Sequence, residues 1–113
     1  MADHITLTPV QAMVVARAGG AVIAESSSAL MMREGDYAPV YYLPRGDVGM
    51  EFFEKSDKVT HCPHKGDATH YSMVTKSTTI VDAAWSYEAP FEAMARIKDY
   101  VAFYPDKVAV EAL

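Results

Sequence analysis

Turn formers interrupt this chain at short intervals, and that limits what it can fold into. Gly19-Gly20, Glu34-Gly35-Asp36, Arg45-Gly46-Asp47, Ser56-Asp57-Lys58, Lys76-Ser77 and Pro105-Asp106 all read as turns. Gly and Asp tolerate the dihedral angles that turns demand, and Pro cannot continue a central ladder. Between them lie short runs rich in Val, Ile, Tyr and Phe, which favour a pleated, half-buried surface. Short strands separated by turns every 8–12 residues or so predict a mainly β, predominantly antiparallel domain.

Particular elements follow. Met13 to Arg17 and Ala21 to Ala24 flank Gly19-Gly20 as a hairpin within an element starting near Val10. Ala29 to Met32, Val40 to Leu43 and Met50 to Phe53 read as strands, with Phe52 and Phe53 on opposite faces. Ser56-Asp57-Lys58 is a polar break, and Val59 to Asp67, containing Pro63 and Gly66, reads mainly as loop. Tyr71 to Val74 and Thr78 to Val81 form a second hairpin, Ala83 to Tyr87 a further strand, and Asp82 before it a turn residue. Pro90 opens the one short helix, near 90–99, with Phe91, Met94, Ala95 and Lys98 on one face. Tyr100 to Tyr104 and Val108 to Val110 return to strand.

Composition bounds the function classes. The 113 residues suit one domain, 1–113, with no internal repeat or linker to begin a second. Ten Lys+Arg against fifteen Asp+Glu give a net charge of −5, which argues against binding nucleic-acid backbones. One cysteine excludes an internal disulfide framework and fits a reducing cytoplasm. The Met1-Ala2-Asp3-His4 start lacks the basic region of a signal peptide. Pro9 to Ala24, the longest apolar stretch, is broken by Gln11, Arg17 and Gly19-Gly20, so no membrane span is expected.

The segment Thr60-His61-Cys62-Pro63-His64-Lys65-Gly66-Asp67 is the densest in reactive groups. Cys62 is a candidate nucleophile, since His61, His64 or Lys65 nearby would favour the thiolate; alternatively it is a small buried hydrophobe. Pro63 biases Cys62 to an extended conformation, which sends the His61 and Cys62 side chains apart. His61, Cys62, His64, His70 and Asp67 include zinc-ligand types, but their spacing matches no standard ligand pair, so no metal is assigned. Lys65-Gly66 with Arg45 suggests an anion site, against the alternative of surface ion pairs to Asp67 and Asp47. Neither the phosphate-loop motif nor the dinucleotide fingerprint occurs. Tyr41, Tyr42, Tyr71, Trp85, Tyr87, Tyr100, Phe103 and Tyr104 form an aromatic reserve, mostly core, from which one or two rings would line a pocket.

The ordered series Val40-Tyr41-Tyr42-Leu43-Pro44-Arg45, Thr60-His61-Cys62-Pro63-His64-Lys65-Gly66, Ala84-Trp85-Ser86-Tyr87 and Tyr100-Val101-Ala102-Phe103-Tyr104-Pro105 resembles the bacterial and fungal family catalogued as domain of unknown function 427. The resemblance runs from about Val14 to Val110. It implies a compact tent- or sandwich-like all-β fold. It also implies recurrent polar positions at Tyr42, Arg45, Asp47, His61, Cys62, Lys65, Asp67, Trp85 and Tyr87. His64 and His70 depart from the family's usual residues. Members often carry a nucleotidyltransferase label. Common nucleotidyltransferases pair a Gly-Ser turn with closely spaced carboxylates that hold Mg²⁺. No Gly-Ser, D-x-D or D-x-E occurs here, so the label has only weak support, which does not exclude nucleotide binding.

Two readings stand. In the first, a small ligand, anionic in character, binds near the Thr60–Gly66 segment. His61 and Cys62 are then the candidate catalytic residues, and Tyr42, Arg45, Lys65, Asp67, Trp85 and Tyr87 the candidate ligand contacts. No cofactor is assigned. In the second, the chain is a non-catalytic module that binds a protein or peptide through an aromatic groove or strand edge. Self-association as a homo-oligomer, covering strand edges, is a further expectation.

Overall fold

A computed structural model describes residues 4–113; Met1, Ala2 and Asp3, and with them most of the chain start weighed above, lie outside the described residues. Among the described residues ten strands form three antiparallel sheets. In chain order they are β1 (Ile5–Pro9), β2 (Val14–Ala18), β3 (Ala21–Ser26), β4 (Leu30–Glu34), β5 (Val40–Tyr42), β6 (Phe53–Cys62), β7 (Gly66–Val74), β8 (Thr79–Ser86), β9 (Val101–Phe103) and β10 (Ala109–Ala112). The sheets run β1-β4-β5, β10-β2-β3 and β6-β7-β8-β9. The fold is mainly β, as the turn spacing predicts.

The β2–β3 hairpin turns at Gly19 and Gly20, whose φ of 57° and 77° are the consecutive left-handed values a two-residue turn needs. Reciprocal backbone bonds between Leu43 and Val101, 2.9 and 2.8 Å, stitch the first sheet to the third. The four-stranded sheet then packs apolar side chains on both faces. Phe53, Tyr71, Met73, Ala84 and Phe103 meet Val14, Ile23 and Leu43 in one core. Ala68, Tyr87 and Ala102 meet Ile5, Met32, Tyr42, Met94 and Ile97 in the other. Strand alternation underlies this split, because cross-strand partners such as Tyr71, Ala84 and Phe103 share one face.

Four expectations are corrected. Val59 to Asp67 is not mainly loop: Val59 to Cys62 continues β6, Gly66 and Asp67 begin β7, and only Pro63, His64 and Lys65 turn. Pro63 sits where no ladder donor is required, and Gly66 takes a φ of 111° at the turn's exit. Met50 to Phe52 is a 3₁₀ turn, and the strand begins at Phe53. The helix near 90–99 is a 3₁₀ segment, Glu92–Ile97, with Met94 non-helical at φ −114° and ψ 20°. Its period of three buries Met94 and Ile97 and leaves Phe91, Ala95 and Lys98 exposed, so the expected face is not the packed one. Ala83 to Tyr87 is no separate strand. Thr79–Ser86 is continuous, and Asp82, with φ 50°, marks a break in its register with β7. β1 is an addition, paired with β4 in a segment that had suggested no strand.

Candidate functional site

The β6–β7 hairpin carries the reactive segment, and its pleat divides that segment between two faces. His61 pairs with Asp67 across the ladder and Cys62 with Gly66. Adjacent strand residues point to opposite sides, so His61 and Cys62 face different surroundings, as Pro63 predicts.

On the Cys62 face lies a pocket of about 210 Å³ between the first and third sheets, lined among others by Met32, Glu34, Tyr42, Lys65, Trp85 and Tyr87. Lys65, at the hairpin tip, is only 6% exposed. Its backbone is held from both sides: its N–H donates to Cys62 O at 3.2 Å, and its carbonyl accepts from Phe91 N–H at 3.0 Å. Its ammonium donates to Glu34 Oε1 at 2.7 Å and to Cys62 Sγ at 3.3 Å. Burial disfavours the charged amine, but the hydrogen bonds with Glu34 and Cys62 outweigh it and hold Lys65 above the ordinary lysine value. Burial likewise pushes the Glu34 carboxyl upward, yet its contacts with Lys65 bring it below the ordinary carboxylate value. His4 Nε2 lies 3.6 Å from the other carboxylate oxygen. The pair is ionised at neutral pH. An ammonium has three N–H donors, so one remains without a partner among the described residues.

Two tyrosines complete the floor. Tyr42 is buried, and its hydroxyl accepts from Trp85 Nε1 at 3.3 Å with the rings edge-on. Burial raises its pKa far above the ordinary phenol. Burial also raises Tyr87, against the opposing pull of Lys65. Both hydroxyls therefore stay protonated and present donors. Tyr104 extends the wall, 4.5 Å from Trp85 between ring centroids, and it lies against His70. His70 is fully buried; its Nε2 is 2.8 Å from the Tyr104 hydroxyl and its Nδ1 has no partner among the described residues.

The opposite face holds a second concavity of about 330 Å³, bordered by His61, Asp67, Thr69, Glu88 and Phe91. His61 Nδ1 meets Asp67 Oδ1 at 2.7 Å, both side chains well exposed. Glu88 takes Arg45 Nη2 at 3.0 Å and the Tyr71 hydroxyl, and these outweigh its burial to hold its carboxyl below the ordinary range. Arg45 also donates to Ser86 Oγ at 2.9 Å, Tyr71 Oη at 3.2 Å and Asp99 O at 3.3 Å, and lies over the Tyr71 ring. Four of its five N–H donors are thus spent on the protein.

Of the sequence-predicted residues, the structure thus brings Tyr42, Cys62, Lys65, Trp85 and Tyr87 together. It places His61 and Asp67 on the other side of the sheet and builds Arg45 into a structural knot. Among the described residues no three His, Cys, Asp or Glu side chains converge as a metal site. Sequence reasoning missed Glu34, taken for a turn residue, and the packing of Tyr104 on His70. The one available signal was Lys65 itself, since a lysine beside a buried hairpin requires an anion.

The family described as Domain of unknown function (DUF427) matches residues 6–112. That span begins within β1, at Thr6 rather than near Val14, and ends with β10 at Ala112. No curated protein matches the chain. No described helix is long and apolar enough to cross a membrane.

Proposed function

Since the chain belongs to the DUF427 family, whose description assigns no activity, we propose its function from the pocket itself: it binds a small ligand through an anionic or carbonyl group seated on Lys65. One observation carries this reading. A lysine that is 6% exposed keeps an N–H without a partner among the described residues, in a concavity also lined by Tyr42 and Tyr87, whose hydroxyls stay protonated. Burying an ammonium costs several kcal/mol in general, on the order of what its partner returns, so a purely structural pair gains little from such a position. Donor-bearing residues beside apolar walls are what an acceptor-bearing ligand requires. The pocket's 210 Å³ lies under the roughly 300–1,000 Å³ of sites for drug-sized molecules, so the ligand is metabolite-sized. Cys62 borders the pocket through its sulfur, 3.3 Å from the ammonium; His61 faces away and is not its base.

Trp85 is the chain's one tryptophan, so its indole N–H resonance reports on this pocket alone. Titration with acetate and with inorganic phosphate is expected to move that resonance saturably with at least one of them. Lys65→Met removes the response, while His61→Ala, on the other face, keeps it. A response that survives Lys65→Met, or none at all with the wild-type protein, sinks the reading.

A second reading rests on an apolar groove of about 170 Å³ formed by Pro39, Val40, Tyr41, Phe103, Pro105 and Val110. A peptide-binding module would use it, and shifts confined to these residues on adding a peptide would favour that role.

A further inference from the structure

Resting on the Lys65 reading, we propose that Glu34 acts as a charge filter, restricting the pocket to singly charged carboxylates with short apolar bodies and rejecting phosphate dianions. Lys65, the one cation lining the pocket among the described residues, is already 2.7 Å from a carboxylate. An anion that takes the remaining Lys65 N–H therefore sits within a few ångströms of Glu34 as well. Attraction to Lys65 and repulsion from Glu34 both grow linearly with the ligand's charge and largely offset each other. The desolvation cost of the ligand grows with the square of its charge. A second negative charge therefore brings little attraction and a much larger penalty.

The donors agree with this accounting. The free Lys65 N–H and the Tyr42 and Tyr87 hydroxyls are enough for the two oxygens of a carboxylate. A phosphate's terminal oxygens would need a guanidinium fork or a nest of backbone N–H groups. Arg45 is committed elsewhere, and the Lys65 N–H at the hairpin tip is bonded to Cys62 O. Met32, Ala38 and Val40 on the opposite wall suit a short hydrocarbon body.

Three further groups bear on the field. His4 approaches Glu34 from outside at 3.6 Å. Lys58 and Lys107 lie 5.9 and 5.6 Å from the Tyr104 ring centroid, and Lys107 is tied to the carbonyls of Val81 and Asp82. Both lysines are exposed, so solvent screens their pull, which favours a dianion and works weakly against the filter.

The test compares propionate and butyrate with inorganic phosphate and methyl phosphate, by Trp85 fluorescence on the full chain at pH 7.5 and constant ionic strength. The carboxylates are expected to bind about tenfold or more tightly than the phosphates. Glu34→Gln keeps an oxygen acceptor for Lys65 but no charge, and is expected to bring the ratio below about threefold, chiefly by strengthening phosphate. Phosphate binding the wild-type protein as tightly as propionate, with loss in Lys65→Met, overturns the filter and leaves the pocket reading standing. An unchanged ratio in Glu34→Gln also overturns it. No saturable response to any of the four overturns both. Should Glu34→Gln fail to fold, the wild-type ratio alone decides.

Discussion

Replacing Lys65 by Met isolates the energetics of the buried pair. The substitution keeps the apolar stem and removes the ammonium, leaving the Glu34 carboxylate facing Cys62 Sγ and the pocket floor. Removing one member of a fully buried ion pair costs about 3–5 kcal/mol, because the survivor is left uncompensated. Glu34 keeps 24% of its side-chain surface and a contact to His4, which together relieve part of that cost. The expected loss is about 2–3 kcal/mol. For a chain of 113 residues, 1 kcal/mol moves Tm by about 4 °C, so Lys65→Met is expected to melt about 8–12 °C lower. The double variant Lys65→Met/Glu34→Gln strands no charge and is expected to recover about half of that loss. The pH dependence has a definite sign. The Glu34 carboxyl is held below 4.5 in the folded protein, so its share of the stability is present above 4.5 and lost as pH falls through the folded value. The Lys65 amine is held above 10.5, so its share is present below 10.5 and lost as pH rises through the folded value. The gap between wild type and Lys65→Met is therefore widest near neutrality and closes at acid pH. Thermal unfolding followed by circular dichroism at pH 7 and pH 3 checks both points. A variant melting within about 2 °C of wild type at pH 7 refutes the reasoning, as does a double variant at the sum of the singles.

Other expectations concern the scaffold. Arg45→Lys, which cannot reproduce four donations from one planar fork, is expected to lose about 2 kcal/mol in urea unfolding, and to leave the Trp85 response to ligand in place. Burial lowers the His70 pKa below 6.5, so the folded protein keeps it neutral while the unfolded chain protonates near 6.5. Stability is then full above 6.5 and declines as pH falls through the folded value; His70→Phe is expected to flatten urea midpoints between pH 7.5 and 5.5. Gly66→Ala meets only ordinary contacts, 3.5 Å from Ala89 O, so its cost comes from the φ of 111°, about 1–2 kcal/mol by chemical denaturation.

The strands were legible where a turn announced itself locally. Gly19-Gly20 and Lys76-Ser77 each sit between β-branched runs, and both hairpins formed as expected. The reading failed where chemistry was mistaken for irregularity. Val59 to Asp67, dense in polar and reactive groups, reads mainly as loop, yet one turn proline and one left-handed glycine are enough to fold it as a hairpin. Phe91, Met94, Ala95 and Lys98 match a 3.6-residue period, but no side chain caps that segment, and it tightens to a period of three. β1 was missed because its partner, β4, lies more than twenty residues on, and Thr6 and Thr8 face solvent.

The site follows the same logic at the scale of single side chains. Five of the nominated residues share the Lys65 face because Cys62, Trp85 and Tyr87 fall on one parity of neighbouring strands, with Tyr42 packed over them. His61 and Asp67 have the other parity, so a segment that reads as one cluster serves two surfaces. Parity can be read from a sequence once the strands are known; the partner of a buried charge cannot. Glu34 and Lys65 stand 31 positions apart, and nothing local to either points to the other. What joins them is the packing of the first sheet on the third, Met32 and Tyr42 with Ala68, Tyr87 and Ala102, anchored by the Leu43–Val101 bridge where β5 meets β9. The pocket is thus a product of sheet assembly. A substitution that loosens the Leu43–Val101 bridge should therefore disturb the Lys65–Glu34 pair without touching either residue. Leu43→Ala, at a site buried completely, is expected to cost about 2–4 kcal/mol and to lower the amplitude of the Trp85 response at temperatures where the protein is still folded. A full response in folded Leu43→Ala would show that the pocket is held by the hairpin alone.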